Sequence, residues 1–388
     1  MPTVTAIDLG SPELVADPYP FLAAERARAP LAWHDGLGMF LTFDHASAGA
    51  ALRDRRLGRI WRDREPAGYL EPFNLLHRNQ MMENEPPAHT RLRRLVSGAF
   101  SRGRIDRLRP RVTELASTLL DEVDPTGFDV IAAYAEPLPV LVIAELLGAP
   151  YSLVPQLRQW SQAIVRMYEP APSEAVVDAA VRAATDFADA IRELARDRAG
   201  APRDDLITDL VAARDGAARL TEDEVVASAV LLLNAGHEAS VNVFGNGLAA
   251  MLARGLRPVA DVALTVEEML RFDSALQLFE RTATAPVELA GTVIEPGQKV
   301  AVLLGAANRD PAVFERPDAL DPVRSPNPHL AFGAGLHFCL GAPLARMELV
   351  ESVTALFARF PGLRLVGEPR SRGTFVLRGY ESVRVAGV

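Results

Sequence analysis

The only cysteine of the chain, Cys339, lies in Phe332-Gly-Ala-Gly-Leu-His-Phe-Cys339-Leu-Gly341, just ahead of a predicted helix. Three glycines flank it. Glycine permits backbone turns that other residues resist, and it lets a flat ligand approach closely. The N–H groups of the loop and of the following helix start can point at the sulfur. They would stabilise a thiolate and lower the cysteine pKa. The chemistry is that of a cysteine held as an anion against something planar or electrophilic. A buried free cysteine is also common in cores, but the glycine spacing and His337, two residues earlier, favour the chemical reading. One cysteine allows no internal disulfide and excludes structural zinc sites built from several thiolates.

Other spacings carry chemistry as well. Glu268-Met-Leu-Arg271 places an acid and a base three apart, on one helix face where they can pair. Thr265-Val-Glu-Glu268 also reads as a capping box. His89 and Arg93, four apart in HTRLRR, face one side of a helix. The run Ala235-Gly236-His237-Glu238-Ala239-Ser240 sets an acid and a hydroxyl inside an apolar segment. Asn234 precedes it. A buried amide without a partner costs about 1–3 kcal/mol, so Asn234 either satisfies its own helix or bonds a bound molecule.

The elements that must position these residues are mostly helices. The expected helices are Phe21–Ala29, Asp44–Asp54, one opening at PPAHTRLRRLVSGAF, Arg109–Val123, Pro139–Leu147, Leu153–Tyr168, Ser173–Arg198, Asp204–Arg214 and Asp261–Phe272. Between Arg214 and Asp261 lies the longest. Thr221-Glu-Asp-Glu224 matches a capping box, and about 30 residues follow, apolar on most faces, so this helix should cross the interior. Short strands are expected at Trp33–His34, at Met39–Thr42 and within 282–303, where Glu295-Pro-Gly-Gln298 is a turn. A last helix runs from Cys339 to Phe360, and the tail from Thr374 alternates like a hairpin. The fold class is mainly α with small β-sheets. No repeat or linker divides the 388 residues, so 1–388 reads as a single domain. A P-loop or Rossmann fingerprint is absent.

Composition narrows the function. Apolar residues make up 49% and charged residues 23%, an ordinary globular mix. The net charge is −9, against the basic balance usual for nucleic-acid binding. No stretch reaches the ~20 apolar residues of a membrane span, and the N-terminus is no secretory signal. The expectation is a cytoplasmic monomer binding neither membrane nor nucleic acid. Lys299 is the only lysine. The arginine excess reflects a GC-rich genome rather than phosphate binding.

Taken together, the motifs resemble the cytochromes P450. Phe-Gly-x-Gly-x-His-x-Cys-x-Gly is the haem-binding signature of that family, and every fixed position is met, with the match continuing through Ala342-Pro-Leu-Ala-Arg346-Met-Glu348. The likeness covers nearly the whole chain and implies the P450 fold, with the long central helix over the haem. It implies that Cys339 is the axial thiolate and iron ligand of a haem b (iron protoporphyrin IX), packed by Phe332 and Gly333. His89, Arg93, Arg281 and His337 become ligands of the haem propionates. Glu268 and Arg271 become a structural pair, locked by Arg324 in Asp321-Pro-Val-Arg324.

On the distal side the resemblance places Ala235 and Gly236 against the haem, with Gly236 making room for dioxygen. The family's usual acid-then-threonine pair is here Glu238 followed by Ala239 and Ser240, so the standard proton relay is altered. Water held by Glu238 and the substrate is the expected route. His237 is expected to pack outward. The expected substrate contacts are Met81, Met82, Leu231, Asn234, Gln277, Phe279 and Val376, drawn from Asn79–Met82, Leu157–Pro170, Leu231–Ala235, Gln277–Phe279 and Phe375–Leu377. The activity implied is hydroxylation or epoxidation of a mid-sized organic molecule in secondary metabolism. Dioxygen is co-substrate, and electrons come from NAD(P)H through a ferredoxin and its reductase, docking near Arg102, Arg104 and Arg346. Oxidative coupling without oxygen insertion is the alternative reading, and a non-catalytic haem sensor a further one.

Overall fold

The computed structural model describes residues 2–169, 172–215 and 218–387. Helices dominate, and the long one spans Glu222–Ala253. Thr221 Oγ1 accepts from Glu224 N, and the Glu224 carboxylate accepts from Thr221 N, which closes the capping box. Nearly every face of this helix is buried, as an apolar sequence on all sides requires. Around it pack Pro137–Leu147, Val154–Val165, Glu174–Gly200 and Val262–Phe272. Ala342–Arg359, the helix after the cysteine, packs on Arg102–Asp121 and on Val262–Phe272.

The β structure lies beside this helical core. One six-stranded sheet runs Val4–Thr5, Leu31–His34, Met39–Thr42, Lys299–Leu303, Leu278–Ala283 and Leu57–Gly58. Lys299–Leu303 pairs antiparallel with Leu278–Ala283, with Val300 opposite Arg281. The Glu295–Gln298 turn is present, with Gly297 at φ 85° and Gln298 N donating to Glu295 O. Two apolar clusters flank the sheet, separate from the main helical core.

Three expectations need correcting. The tail is not a hairpin. Tyr380–Ser382 pairs with Arg370–Ser371, whereas Arg384–Ala386 joins Arg364–Leu365 and Phe128–Asp129. Alternation marks strands but does not choose their partners. Thr265 is no cap, because Asp261 caps its helix through Ala263 N and Thr265 is buried inside it. The helix expected at Arg109–Val123 begins earlier, at Arg102, and passes through Pro110. A further helix, Glu71–Arg78, stands where no element was expected.

Candidate active site

Cys339 sits between a closed loop and a helix start. Its N–H donates to Phe332 O at 3.0 Å. Gly333 and Gly335 adopt φ of 68° and 70°, and a Cβ on Gly335 would stand 2.5 Å from Leu52 O. Both positions therefore require glycine. The backbone N–H groups of Gly341 and Ala342 point at the sulfur. Burial pushes the thiol pKa up, and these N–H groups with Arg93 and Arg346 pull it back only in part. Without a metal the net shift is upward, against the sequence expectation, because desolvation outweighs the dipoles. A cation bound at the sulfur would favour the thiolate.

Around this loop stand donors that lack acceptors. His89, on the helix Ala88–Ser97, is 1% exposed, and neither ring nitrogen has a partner. Its ring lies 4.6 Å from that of His337. Burial, His337 and Arg93 hold its pKa down at about 4. Arg281 is 1% exposed and donates only to a neighbouring carbonyl, Glu280 O, while stacking 4.4 Å over Phe279. Burial, with Arg59 nearby, lowers its pKa to about 9. Arg93 donates to Phe338 O at 2.8 Å, and His337 meets Glu85 at 2.6 Å. His89 and Arg281, buried donors with so few acceptors, fit the two propionates of a haem.

The Glu268 cluster is complete. Arg271 makes a two-pronged pair with Glu268 at 2.7 and 2.8 Å and donates to the carbonyls of Asn308, Pro317 and Ala319. Arg324 Nε bonds the same carboxylate, and so do Asp321 N and Asn327. The cluster ties the helix Val262–Phe272 to the irregular chain before the cysteine loop.

On the long helix, Ala235 is exposed and Ala239 half-buried, while most of their neighbours are buried. This face opens onto a slot rather than packing on protein. Gly236 faces elsewhere: a Cβ there would meet Ile143 Cδ1 at 3.1 Å. It serves helix packing, because one position along a helix turns the side chain by about 100°. His237 does not pack outward. It is fully buried, with both ring nitrogens unpartnered, and desolvation lowers its pKa to about 4. Glu238 Oε2 accepts from Arg372 at 2.7 Å, and Oε1, 3.7 Å from His237 Nδ1, makes no hydrogen bond. Arg372 also bonds Glu136, which pairs with Arg158. Ser240 turns away from Ala239 and bonds Glu348 on the helix after the cysteine.

Glu348 is the residue that sequence reasoning missed. Burial raises its pKa to about 8, against the pull of Ser240, so it is protonated at neutral pH. A signal existed: Leu344, Glu348 and Ser352 recur every four residues, placing one acid in a buried stripe.

A narrow cleft of about 10 Å³ is lined by Leu76, His77, Gln80, Ile164, Tyr168, Ala227, Val230, Leu231 and Asn234. Leu231 and Asn234 were expected there. Met81 is buried in the adjoining core with Met82 packed on it, and Phe279 lies between Arg59 and Arg281. Gln277 is turned away. Its Nε2 donates to Ser274 O and Tyr19 Oη, and its Oε1 lies against Gly305. Val376 meets it only through the backbone, accepting from Gln277 N. Leu76 and His77 come from the unexpected helix Glu71–Arg78. Pro170 lies outside the described residues, as does the Arg102 side chain. Arg104 is paired with Asp209 and Asp204, and Arg346 with Glu267 at 2.6 Å. Neither offers a free cation for a docking partner. Among the described residues no helix is long and apolar enough to cross a membrane.

Comparison with known proteins places this geometry. The cytochrome P450 family model matches residues 262–371. The cytochrome P450 monooxygenase PikC of Streptomyces venezuelae is 38% identical over 94% of this chain and 89% of its own. The 6-deoxyerythronolide B hydroxylase of Saccharopolyspora erythraea is 36% identical over 98% of each chain. Among solved structures, P450BioI in complex with hexadec-9Z-enoic acid ligated acyl carrier protein superposes with a TM-score of 0.91. It is 32% identical and covers 97% of this chain and 99% of that one.

Proposed function

The chain belongs to the cytochrome P450 family and is a haem-dependent monooxygenase that uses dioxygen, and from that premise we propose that it hydroxylates or epoxidises a mid-sized organic compound of secondary metabolism. One oxygen atom enters the substrate and the other leaves as water, with two electrons and two protons consumed. NAD(P)H supplies the electrons through a ferredoxin reductase and a ferredoxin in the cytoplasm, and residues 1–388 act as one catalytic unit. The observation that carries the reading is the cysteine loop, with the acceptor-poor buried donors His89 and Arg281.

Cys339 would ligate the haem iron, and His89, Arg93, Arg281 and His337 would hold the propionates. When bound, the haem supplies oxygen activation, which an axial thiolate favours. Glu268, Arg271 and Arg324 keep the cysteine loop in register. Ala235 and Ala239 give the oxygen side of the slot small apolar walls. Glu238 holds a proton route at Oε1, its other oxygen fixed by Arg372. Ser240 and the protonated Glu348 hold a second proton within the same helix pair.

The test is turnover with ferredoxin, reductase and NADPH, on compounds chosen by their shift of the haem absorption. Product heavier by one oxygen atom supports the proposal. Loss of two hydrogens instead assigns oxidative coupling, a reading that the absent hydroxyl at Ala239 favours. No turnover with several redox pairs would leave a haem protein without catalysis.

A further inference from the structure

Among the donors assigned to the haem propionates stands a carboxylate of the chain itself. Glu85 precedes Pro86 and Pro87 at the entry to the helix Ala88–Ser97. Its Oε1 accepts from Arg59 N at 2.7 Å and lies 2.6 Å from His337 Nε2. Burial works to raise the Glu85 pKa, but the bonds from His337 and from Arg59 N outweigh it, and the net shift is downward. The group is therefore ionised at neutral pH. An ionised carboxylate can only accept, so His337 Nε2 carries the hydrogen and donates.

The carboxylate is fixed in place. A Cβ on Gly58 would stand 2.8 Å from Glu85 Cγ, so the strand Leu57–Gly58 makes room for this side chain. No arginine head group takes up its charge in that contact: the Arg59 guanidinium pairs with Glu83, and Arg59 meets Glu85 through its backbone N–H. The influence of Glu85 extends beyond His337. Burial, His337 and Arg93 lower the His89 pKa, and Glu85 opposes them. Burial and Arg59 lower the Arg281 pKa, and Glu85 opposes them as well. Three of the four groups assigned to the propionates thus lie in the field of a carboxylate that is already present.

We propose that Glu85 is a positioning residue of the haem site, which turns His337 by accepting from Nε2 and holds a fixed negative charge at the propionate edge, lowering the haem reduction potential. The inference rests on the proposed assignment of His89, Arg93, Arg281 and His337 to the propionates. Reduction of ferric to ferrous haem adds one electron and so one negative charge. A fixed carboxylate in a partly buried site opposes that addition, and local charge is one of the levers on haem potential. Neither the cysteine-loop signature nor the Glu268 cluster assigns this role.

The test is the midpoint potential of the haem-loaded protein, measured by spectroelectrochemical titration at one pH and one ionic strength. Glu85→Gln keeps the shape and an acceptor oxygen and removes the charge. It should raise the potential, changing the reduction equilibrium by about threefold to tenfold, with tenfold worth about 59 mV for one electron. Glu85→Asp keeps the charge and should stay near the parent. Glu288→Gln removes an exposed charge and should also stay near the parent, because solvent and salt screen it. An unchanged or lowered potential in Glu85→Gln, or an equal rise in Glu85→Asp or Glu288→Gln, would overturn the proposal. Loss of haem from Glu85→Gln would overturn it too, since the residue would then build the site rather than set its charge. The carbon monoxide spectrum of the same samples separates the two readings. A normal band with a flat potential removes this inference alone, whereas a native protein without the band removes the haem-thiolate reading beneath it.

Discussion

The Glu268 cluster and the middle of the long helix are both buried and polar, and they are built in opposite ways. No nitrogen or oxygen of Glu268, Arg271 or Arg324 lacks a partner. Between Asn234 and Asn246, by contrast, Asn234 Oδ1, both nitrogens of His237, Glu238 Oε1 and both amide atoms of Asn242 make no hydrogen bond, though His237 Nδ1 and Glu238 Oε1 stand 3.7 Å apart. Each orphaned group costs about 1–3 kcal/mol. A helix that carries several is one that folding alone would not favour. The satisfied network fixes the cysteine loop, and the stretch from Asn234 to Asn242 contributes no such lock.

The sharpest way to break this contrast is to damage the satisfied side. Arg271→Ala removes both prongs on Glu268 and three bonds to carbonyls. Removing one partner of a buried ion pair costs about 3–5 kcal/mol, less here by what Arg324 still supplies to Glu268, and still a large part of the stability of a typical domain. Thermal unfolding and recovery of soluble haem protein should both collapse. A melting temperature near that of the parent would mean the cluster is not what holds the loop.

Damage to the unsatisfied side should spare the fold and strike turnover. Glu238→Gln keeps the shape of the side chain and removes the charge. A positioned proton-transfer group contributes ~10²–10⁴-fold, so product per unit time should fall by about 10²-fold or more while the melting temperature stays within a few degrees. The reverse pattern would move Glu238 into the structural class.

Glu348 stands between the two regions and gives a smaller, pH-dependent signal. Its pKa rises from the ordinary carboxyl range to about 8 on folding, so folding takes up a proton between those limits. Stability should therefore fall as pH climbs through that window, by at most ~1.4 kcal/mol per unit. Below the ordinary carboxyl value the contribution is flat. Glu348→Gln should remove the slope in a series of denaturant titrations from pH 5 to pH 8. An unchanged slope would show that Glu348 is ionised in the folded protein.

The least effect is expected at Ala239. Ala239→Thr adds the hydroxyl common in the family to a half-buried wall position. With the native substrate, product per NADPH should stay level or fall, because the side chain displaces water held by Glu238. A clear gain in coupling, with less free peroxide, would show that the chain lacks a relay without that hydroxyl.

The haem cradle was legible in sequence because its members stand at short, fixed spacings: the cysteine loop within ten residues, Glu268 with Arg271, His89 with Arg93. Helix periodicity then placed them on common faces. The cleft was less legible, since its walls meet across long separations. Arg372 reaches Glu238 from 134 positions away, and no local pattern announces that. Glu71–Arg78 is a short helix between two turns, with too few residues to show a period, yet it supplies His77. Gln277 entered the expected set by its position ahead of a strand, but the bonds to Tyr19 and Ser274 turn it into the scaffold. Gly236 shows the same limit. Its identity was right for a tight approach, and the approaching group is Ile143 of a neighbouring helix.

The central claim is that Cys339 binds haem iron as a thiolate, and the carbon monoxide spectrum of the reduced protein tests it most directly. Only a thiolate donates enough charge to produce the family's red-shifted Soret band. The native protein should show that band, and Cys339→Ser and Cys339→His should lose it while haem still binds. A red-shifted band that survives in Cys339→Ala would contradict the account.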